Sequence, residues 1–509
     1  MSLVGATDTT LSVKAEGTPS ESGFGTPTGY NFYANNVKKT ATPDADGVYT
    51  YTGLTGGTDY VLAFTFVNGS GVESAKYGTQ TRSTIEASRV LPSDTQSAID
   101  GFVAAALTPN TKVDGCLVGI KTTNYDFYRA YGGDRTAGLT LSLDQKMRYG
   151  SVTKMYTALL VLAQIDAGTL SLDDKLSQFV DGVANGDKIT IKHLLQMQSG
   201  IEDYLQQDPA VQQIYFLPSS TVNAFDPMPY IRSYAPLYEP GTQSSYSNSN
   251  YILLGKILEW VDAQHGSGRD IQTIIQQDLL TPQSLNETEW PAGIYMTAPY
   301  SRGWATNLAL PTIQALLGPF AFLAAVLGYP TTPEVEWTAV NPSYGGAAGA
   351  IDGTIADLVK FGEVLGSAPM LSAEMKQLRD ENFVTYLTYE PSGSNGPGWM
   401  GFGLGVIQWG VWLGWIGNLA GYHSVVFVNP TNGDVIAAIM NHMDGDPLTL
   451  FYKIVYEMFP ETAELQDQII RVDTSTSTSA SYEPAVYVYH EPGDEDSNTA
   501  VPLKVPFYV

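Results

Sequence analysis

Between Asp59 and Phe66 the chain alternates large apolar residues (Tyr60, Leu62, Phe64, Phe66) with smaller ones. That period of two predicts a half-buried strand. Gly56-Gly57 before it and Asn68-Gly69-Ser70-Gly71 after it are turn signals. Residues 1–85 as a whole are rich in Thr, Gly, Ser and Tyr and poor in helix formers. They predict short strands packed as an all-β sandwich. A polar connector, Gln80 to Pro92, leads to Ser93-Asp94-Thr95-Gln96, which fits a capping box ahead of a helix over Ile99 to Leu107. Strands are expected over Cys116 to Ile120 and Tyr125 to Tyr131.

From Met155 the pattern changes: nearly every position is apolar up to Gly168, a buried helix ended by a glycine. Further helices are expected in 189–200, over Tyr251 to Val261, starting within 349–358, and from Pro447 to Phe459. Two apolar runs, Ser424 to Val428 and Asp434 to Met440, flank Asn429-Pro430-Thr431-Asn432-Gly433 and predict a hairpin. Helix, two strands, helices and a final hairpin form an α+β order in which the late strands complete the early sheet.

Charge and composition remove several classes of function. The 509 residues carry 26 Lys plus Arg against 52 Asp plus Glu, a formal charge of −26. So acidic a chain is not expected to take nucleic acid or an anionic membrane as its main partner. Cys116 is the only cysteine, so neither an intrachain disulfide nor a cysteine metal cluster can form. The first residues lack a basic segment with an apolar core, and no signal peptide is expected. Leu308 to Tyr329 is uncharged and long enough to span a bilayer. Pro311, Gly318 and Pro319 interrupt it, however, and the reading adopted is an apolar wall, lid or subunit contact with no membrane span.

Candidate chemistry centres on Tyr149-Gly150-Ser151-Val152-Thr153-Lys154. Residues three apart on a helix share a face, so the Ser151 hydroxyl and the Lys154 amine can meet. A buried lysine is pulled toward its neutral form and can act as a base beside a serine nucleophile. S-x-x-K also arises by chance in many helices, and Tyr246-Ser247-Asn248 after Pro240-Gly241 has the composition of an ordinary turn. The order Ser151-x-x-Lys154, Tyr246-x-Asn248, Trp415-Ile416-Gly417 ahead of a hairpin is more specific. Over 93–460 the chain resembles the serine β-lactamase-like family, which includes class C β-lactamases, D-Ala-D-Ala carboxypeptidases and a carboxylesterase branch.

The resemblance implies an antiparallel sheet flanked by helices, with a helical subdomain. It implies Ser151 as nucleophile, and Lys154 as proton acceptor directly or through Tyr246, whose phenol beside an ammonium is expected to ionise more easily. It further implies Asn248, Trp415 and Gly417 at the substrate, and an oxyanion hole from the N–H groups of Ser151 and Asn418. Penicillin-recognising members carry Lys or His where this chain has Trp415, and the esterase branch often has Trp-x-Gly there. Esters are therefore expected ahead of β-lactams and D-Ala-D-Ala peptides. His423 is a conceivable substitute cation, although a lone histidine entering a strand is more often structural. No H-E-x-x-H spacing and no G-x-S-x-G elbow occur, and neither metal nor cofactor is expected. Trp409, Trp412 and Trp415 suggest an apolar surface for an acyl chain, with core packing as the plainer alternative.

The strand order in 1–85, with Leu54-Thr55-Gly56-Gly57-Thr58-Asp59-Tyr60, resembles a fibronectin type III domain, save that Lys14-Ala15 stand where that family keeps a core tryptophan. The expected division is therefore 1–85 fibronectin-like, 86–92 linker, 93–465 hydrolase, and 466–509 a low-complexity linker and β-prone tail. A fibronectin-like module joined to a wall-type hydrolase resembles minor tail proteins of phages that infect actinobacteria. That resemblance implies a virion tail location, a homo-oligomer, contacts to other tail proteins through the N-terminal domain or the C-terminal tail, and an ester or peptide substrate in the host envelope. A free cytoplasmic carboxylesterase and a catalytically silent tail adhesin are the alternatives.

Overall fold

The computed structural model describes residues 2–7, 9–14, 27–39, 48–84, 89–108, 112–135, 139–205, 208, 211, 221–265, 268–307, 332–388 and 399–460. The apolar segment 308–329 and the tail 466–509 lie outside the described residues. Among the described residues no helix is long and apolar enough to cross a membrane.

The larger, C-terminal half is built on antiparallel strands in the order Trp412–Leu419, Tyr422–Val428, Val435–Met440, Gly115–Lys121, Asp126–Gly132. The late hairpin therefore closes on the early strands, as the α+β order requires. Every residue of Val435–Met440 is buried, because this central strand is covered on both faces. Along Tyr422–Val428 alternate side chains go to opposite layers. Val426 and Val428 face the helix Ile355–Ser367, where Gly362 and Gly366 leave room for them. Phe427 stacks on Phe451 of the helix Pro447–Met458 at 4.6 Å.

A helical subdomain inserted between the early and late strands packs around two helices, Thr153–Asp166 and Asn248–His265. The first is the apolar helix of the sequence, and it ends before Gly168, whose φ of 75° is the left-handed conformation glycine adopts most readily. The helix expected across 189–200 is only Ile191–Leu195. Thr190 and His193 cap it reciprocally, and Met197 and Gly200 turn the chain away with φ of 57° and 75°.

Two local expectations need correction. The helix starts at Ser93 and runs to Ala106, with Pro92 in the capping position and no side-chain cap. Proline supplies the extended residue before the first turn, so Ser93 is already helical and the capping box does not form. The expected connector also begins too early, because Gln80 belongs to the strand Tyr77–Ser83.

The N-terminal region forms two sheets. One holds Ser2–Ala6, Leu11–Lys14 and Val48–Tyr51. The other runs Val37–Lys39, Pro27–Ala34, Asp59–Asn68, Tyr77–Ser83. Leu11, Val13, Phe32, Tyr51, Leu54, Leu62, Phe64 and Phe66 make a core of their own. The strand from Asp59 is less open than its period suggests, since Ala63 and Thr65 are buried as well. Glu73 lies over that face and accepts from Thr65 Oγ1 at 3.0 Å and from Tyr33 and Asn31. Tyr60, at the start of the strand, accepts at its hydroxyl from the Thr55 N–H at 2.8 Å.

The first of these sheets continues that of the larger half through a pairing of Gly5 with Arg129. Arg82 binds Asp144 at 2.5 Å, and the Leu143 N–H donates to Leu3 O at 2.9 Å. Because each half has a separate core, a fragment spanning 93–465 is expected to fold and keep its activity. It loses the strand addition and the Arg82 ion pair, and its Tm should fall by roughly 2–4 °C. An insoluble or inactive fragment in a thermal melt and ester assay would mean that the halves fold only together.

Candidate active site

Two glycines let the Ser151 loop approach the sheet. Gly150 has φ of 55°, and a Cβ there would lie 2.8 Å from the Asn418 backbone nitrogen. At Gly417 a Cβ would come within 1.8 Å of Tyr149 O, so no side chain fits there without moving backbone. The loop is tied down by the Tyr149 N–H donating to Ile351 O at 2.9 Å and by Ser424 Oγ donating to Tyr149 O at 2.7 Å. Ser151 sits in a tight turn, Gly150–Val152, that runs into the helix Thr153–Asp166.

One turn on, Lys154 is fully buried. Its Nζ donates to Ser151 Oγ at 2.8 Å, to Asn248 Oδ1 at 2.6 Å and to Ala348 O at 2.9 Å. Tyr246 OH and Ser151 Oγ are 2.7 Å apart. Thus four residues expected from the sequence, Ser151, Lys154, Tyr246 and Asn248, form one hydrogen-bonded cluster. The short stretch 347–351 was not foreseen as part of it. Ala347 O accepts from Thr157, Ala348 O from Lys154, and the Ile351 N–H donates to Thr153. The helix expected from 349–358 starts only at Ile355, capped by Thr354, and a tight turn at Gly346–Ala348 sets the carbonyls of Ala347 and Ala348 toward Thr157 and the lysine.

Asp203 is the residue that sequence reasoning missed. It is 1 % exposed and accepts from Asn248 Nδ2 at 3.0 and 3.2 Å and from the Leu205 N–H at 3.0 Å. The only signal was its place three residues past the Gly200 turn, which does not distinguish it from Glu202 beside it.

Burial dominates the electrostatics. It pulls the Lys154 amine well below the ordinary lysine range, opposed by the Asp203 charge. Burial also pushes the Tyr246 phenol well above its usual value, helped by Asp203 and Tyr251, while hydrogen bonds from Ser151 and the Trp415 indole work the other way. The expectation that Tyr246 ionises easily is therefore corrected: burial raises the phenol, and Lys154, itself pulled toward its neutral form, does not offset it. Asp203 is raised to about 6, first by burial, against the Leu205 N–H and Lys154.

Trp415 is 1 % exposed and lies among Tyr251 and Phe402, with ring centroids at 5.9 and 5.7 Å. Its polar atom serves Tyr246. Trp409 and Trp412 do not line the same surface. They are buried on the opposite face of the sheet against Phe451, Tyr452 and Phe459, so core packing is the correct reading for both. His423 pairs across the hairpin with Asn418, and its Nδ1 bonds to Gly445 O. Burial lowers its pKa, so it is a neutral structural ring and supplies no cation.

An antiparallel sheet between helices, a helical subdomain, and a serine held by a buried lysine and a tyrosine at their junction define a class: the β-lactamase-like serine hydrolase fold. Residues 103–454 match the family described as Beta-lactamase, and the chain belongs to that family of serine hydrolases. It is 27 % identical to penicillin-binding protein 4 of Amycolatopsis lactamdurans over 343 residues, covering 65 % of this chain and 80 % of that protein. It is 24 % identical over 173 residues to the D-alanyl-D-alanine-carboxypeptidase/endopeptidase AmpH of Escherichia coli, 33 % of this chain and 43 % of the relative. Among solved structures, a D-stereospecific amidohydrolase from Streptomyces sp. superposes with a TM-score of 0.57 at 24 % identity, over 72 % of this chain and 98 % of the other. That likeness is one of fold.

Proposed function

We propose that this protein is an acyl-transfer hydrolase that works through a Ser151 ester and prefers neutral carboxylic esters. The observation that carries the reading is Ser151 Oγ held between Lys154 Nζ at 2.8 Å and Tyr246 OH at 2.7 Å. In this reading neutral Lys154 takes the serine proton as Oγ attacks the substrate carbonyl. The N–H groups of Ser151 and Asn418 receive the oxyanion. Tyr246, protonated, donates to the departing alkoxide, and the proton that Lys154 took from the serine then restores the phenol. Water then attacks the acyl-enzyme by the reverse sequence. Asn248, Trp415 and Gly417 border the substrate.

The preference for esters rests on the third motif. With an indole at 415, a substrate carboxylate forgoes a charge-assisted hydrogen bond worth about 1.5–3 kcal/mol. Since each 1.36 kcal/mol is tenfold, that is roughly ten- to a hundredfold in transition-state binding. The relatives named for D-alanyl-D-alanine carboxypeptidase and D-stereospecific amide hydrolysis support a second reading, cleavage of D-amino-acid peptides or amides. Comparison of kcat/KM on a p-nitrophenyl ester, a chromogenic cephalosporin and a D-Ala-D-Ala peptide separates the two. The ester should lead; a leading peptide overturns the ester reading, and turnover of none leaves a binding protein.

We also propose that the N-terminal sandwich is a fibronectin type III module. Its three-plus-four strand division and the Tyr60–Thr55 hydrogen bond at the strand corner support this. The pairing of such a module with a wall-type hydrolase supports a place in a phage tail, meeting the host envelope from outside. Mass spectrometry of purified particles tests it, and absence of the chain from them returns the protein to the cytoplasmic alternative.

A further inference from the structure

Asp203 takes no part in the acyl transfer set out above, yet it is the one carboxylate built into the cluster. We propose that Asp203 is a positioning residue: it fixes the orientation of the Asn248 amide and is the counter-ion faced by Lys154 once the lysine has taken the serine proton. The inference rests on the acyl-transfer reading of Ser151 and Lys154.

The geometry argues it in two steps. An ionised carboxylate can only accept hydrogen bonds, so both Asp203 oxygens, at 3.2 and 3.0 Å from Asn248 Nδ2, demand that the amide NH2 face them. The amide oxygen is then turned toward Lys154 Nζ, 2.6 Å away. With no acceptor at 203 the amide is free to rotate and present its NH2 to the ammonium, donor against donor. The second step concerns charge. Lys154 is fully buried and Asp203 is 1 % exposed, so an ammonium formed here cannot be solvated by bulk water and needs an anion nearby.

The groups that sense the Asp203 charge come from each element around it. Lys154 lies on the helix Thr153–Asp166, Tyr246 precedes the helix that Asn248 begins, and Tyr234 follows the helix Met228–Ser233. Of these, Lys154 alone can carry positive charge. Burial lifts the Asp203 carboxyl to about 6 and lowers the Lys154 amine, and at each group the opposite charge of the other works against that shift. The chain Ser151, Lys154, Asn248, Asp203 thus does through an amide what a buried aspartate does directly for a catalytic histidine.

The test is Asp203→Asn in the full chain, assayed on a p-nitrophenyl ester from acid to alkaline pH. Rates are normalised to the fraction of sites labelled by a serine-directed alkylphosphonate. Per labelled site the plateau kcat/KM should fall roughly tenfold or more. Removing an anion makes Lys154 easier to deprotonate, so the acid limb should move to lower pH by about one unit. Asp203→Glu, which keeps the charge, should hold the limb at its wild-type position, and Asp203→Ala, which removes the charge and the acceptor together, should move it as Asn does and carries the test if the Asn variant does not fold. A purely structural Asp203 would lower the labelled fraction and the Tm while leaving the limb and the per-site rate at wild-type values. That result overturns the inference alone. Failure of the wild type to be labelled at Ser151 overturns the acyl-transfer reading and this inference with it.

Discussion

Ser151→Ala should abolish ester hydrolysis, with a fall in kcat of roughly a thousandfold or more, and leave the fold unchanged. Among the described residues the hydroxyl is bonded within the cluster, to Lys154 Nζ and Tyr246 OH, and to no backbone group. Its loss removes the covalent route while Gly150, Asn418 and the rest of the pocket keep their positions. What remains is whatever rate binding and the oxyanion donors give to direct attack by water. The measurement is kcat on a p-nitrophenyl ester beside a circular dichroism melt. Activity near that of the wild type would mean that another nucleophile does the work.

The second large effect is expected at Lys154, and its informative variant is arginine. Lys154→Arg keeps the positive charge but not the ability to lose it, since a guanidinium stays protonated in proteins. If the lysine served only to pair with Asp203 and orient Asn248, arginine could preserve part of the activity. If it is the base, arginine should be as inactive as alanine, a loss of about 10²–10⁴. Space sharpens the comparison, because Lys154 is fully buried with three acceptors in a fixed arrangement. Phosphonate labelling of Ser151 therefore accompanies the assay. A folded Arg variant that hydrolyses the ester at close to the wild-type rate removes Lys154 from the role of base.

How much of this was readable in advance follows from the range of the interactions involved. The meeting of Ser151 with Lys154 needs only one helical turn, so three residues of spacing were enough to foresee a contact found at 2.8 Å. The central strand Val435–Met440 and the hairpin turn before it were equally local, since a strand buried on both faces needs an unbroken apolar run. Glycine at 168 marked a helix end for the same reason. Burial of the lysine could be inferred from the apolar helix that carries it.

Other features depended on segments far apart in the chain meeting in space. Tyr246 reaches Ser151 across 95 residues, and Ala348 O reaches Lys154 across 194, contacts made only when the segments around 246 and 348 dock on the helix Thr153–Asp166. The ionisation of Tyr246 depends on how much solvent that docking excludes, so an argument from its charged neighbour alone had the wrong sign. Which face of the sheet each tryptophan occupies also came from tertiary packing. Trp415 joins Tyr246 while Trp412, three residues earlier on the same strand, points to the other side. Asp203 carries no local mark that sets it apart from Glu202, and the pairing of Gly5 with Arg129 carries none at all. A buried carboxylate and an exposed one are spelled alike, and a strand edge finds its neighbour only after both sheets have formed. The sequence by itself determined the main strands and the apolar helix, the family and the serine–lysine pair; the tertiary structure decided their protonation, their counter-charge and the side of the sheet on which each aromatic ring lies, because all three depend on which distant groups exclude water.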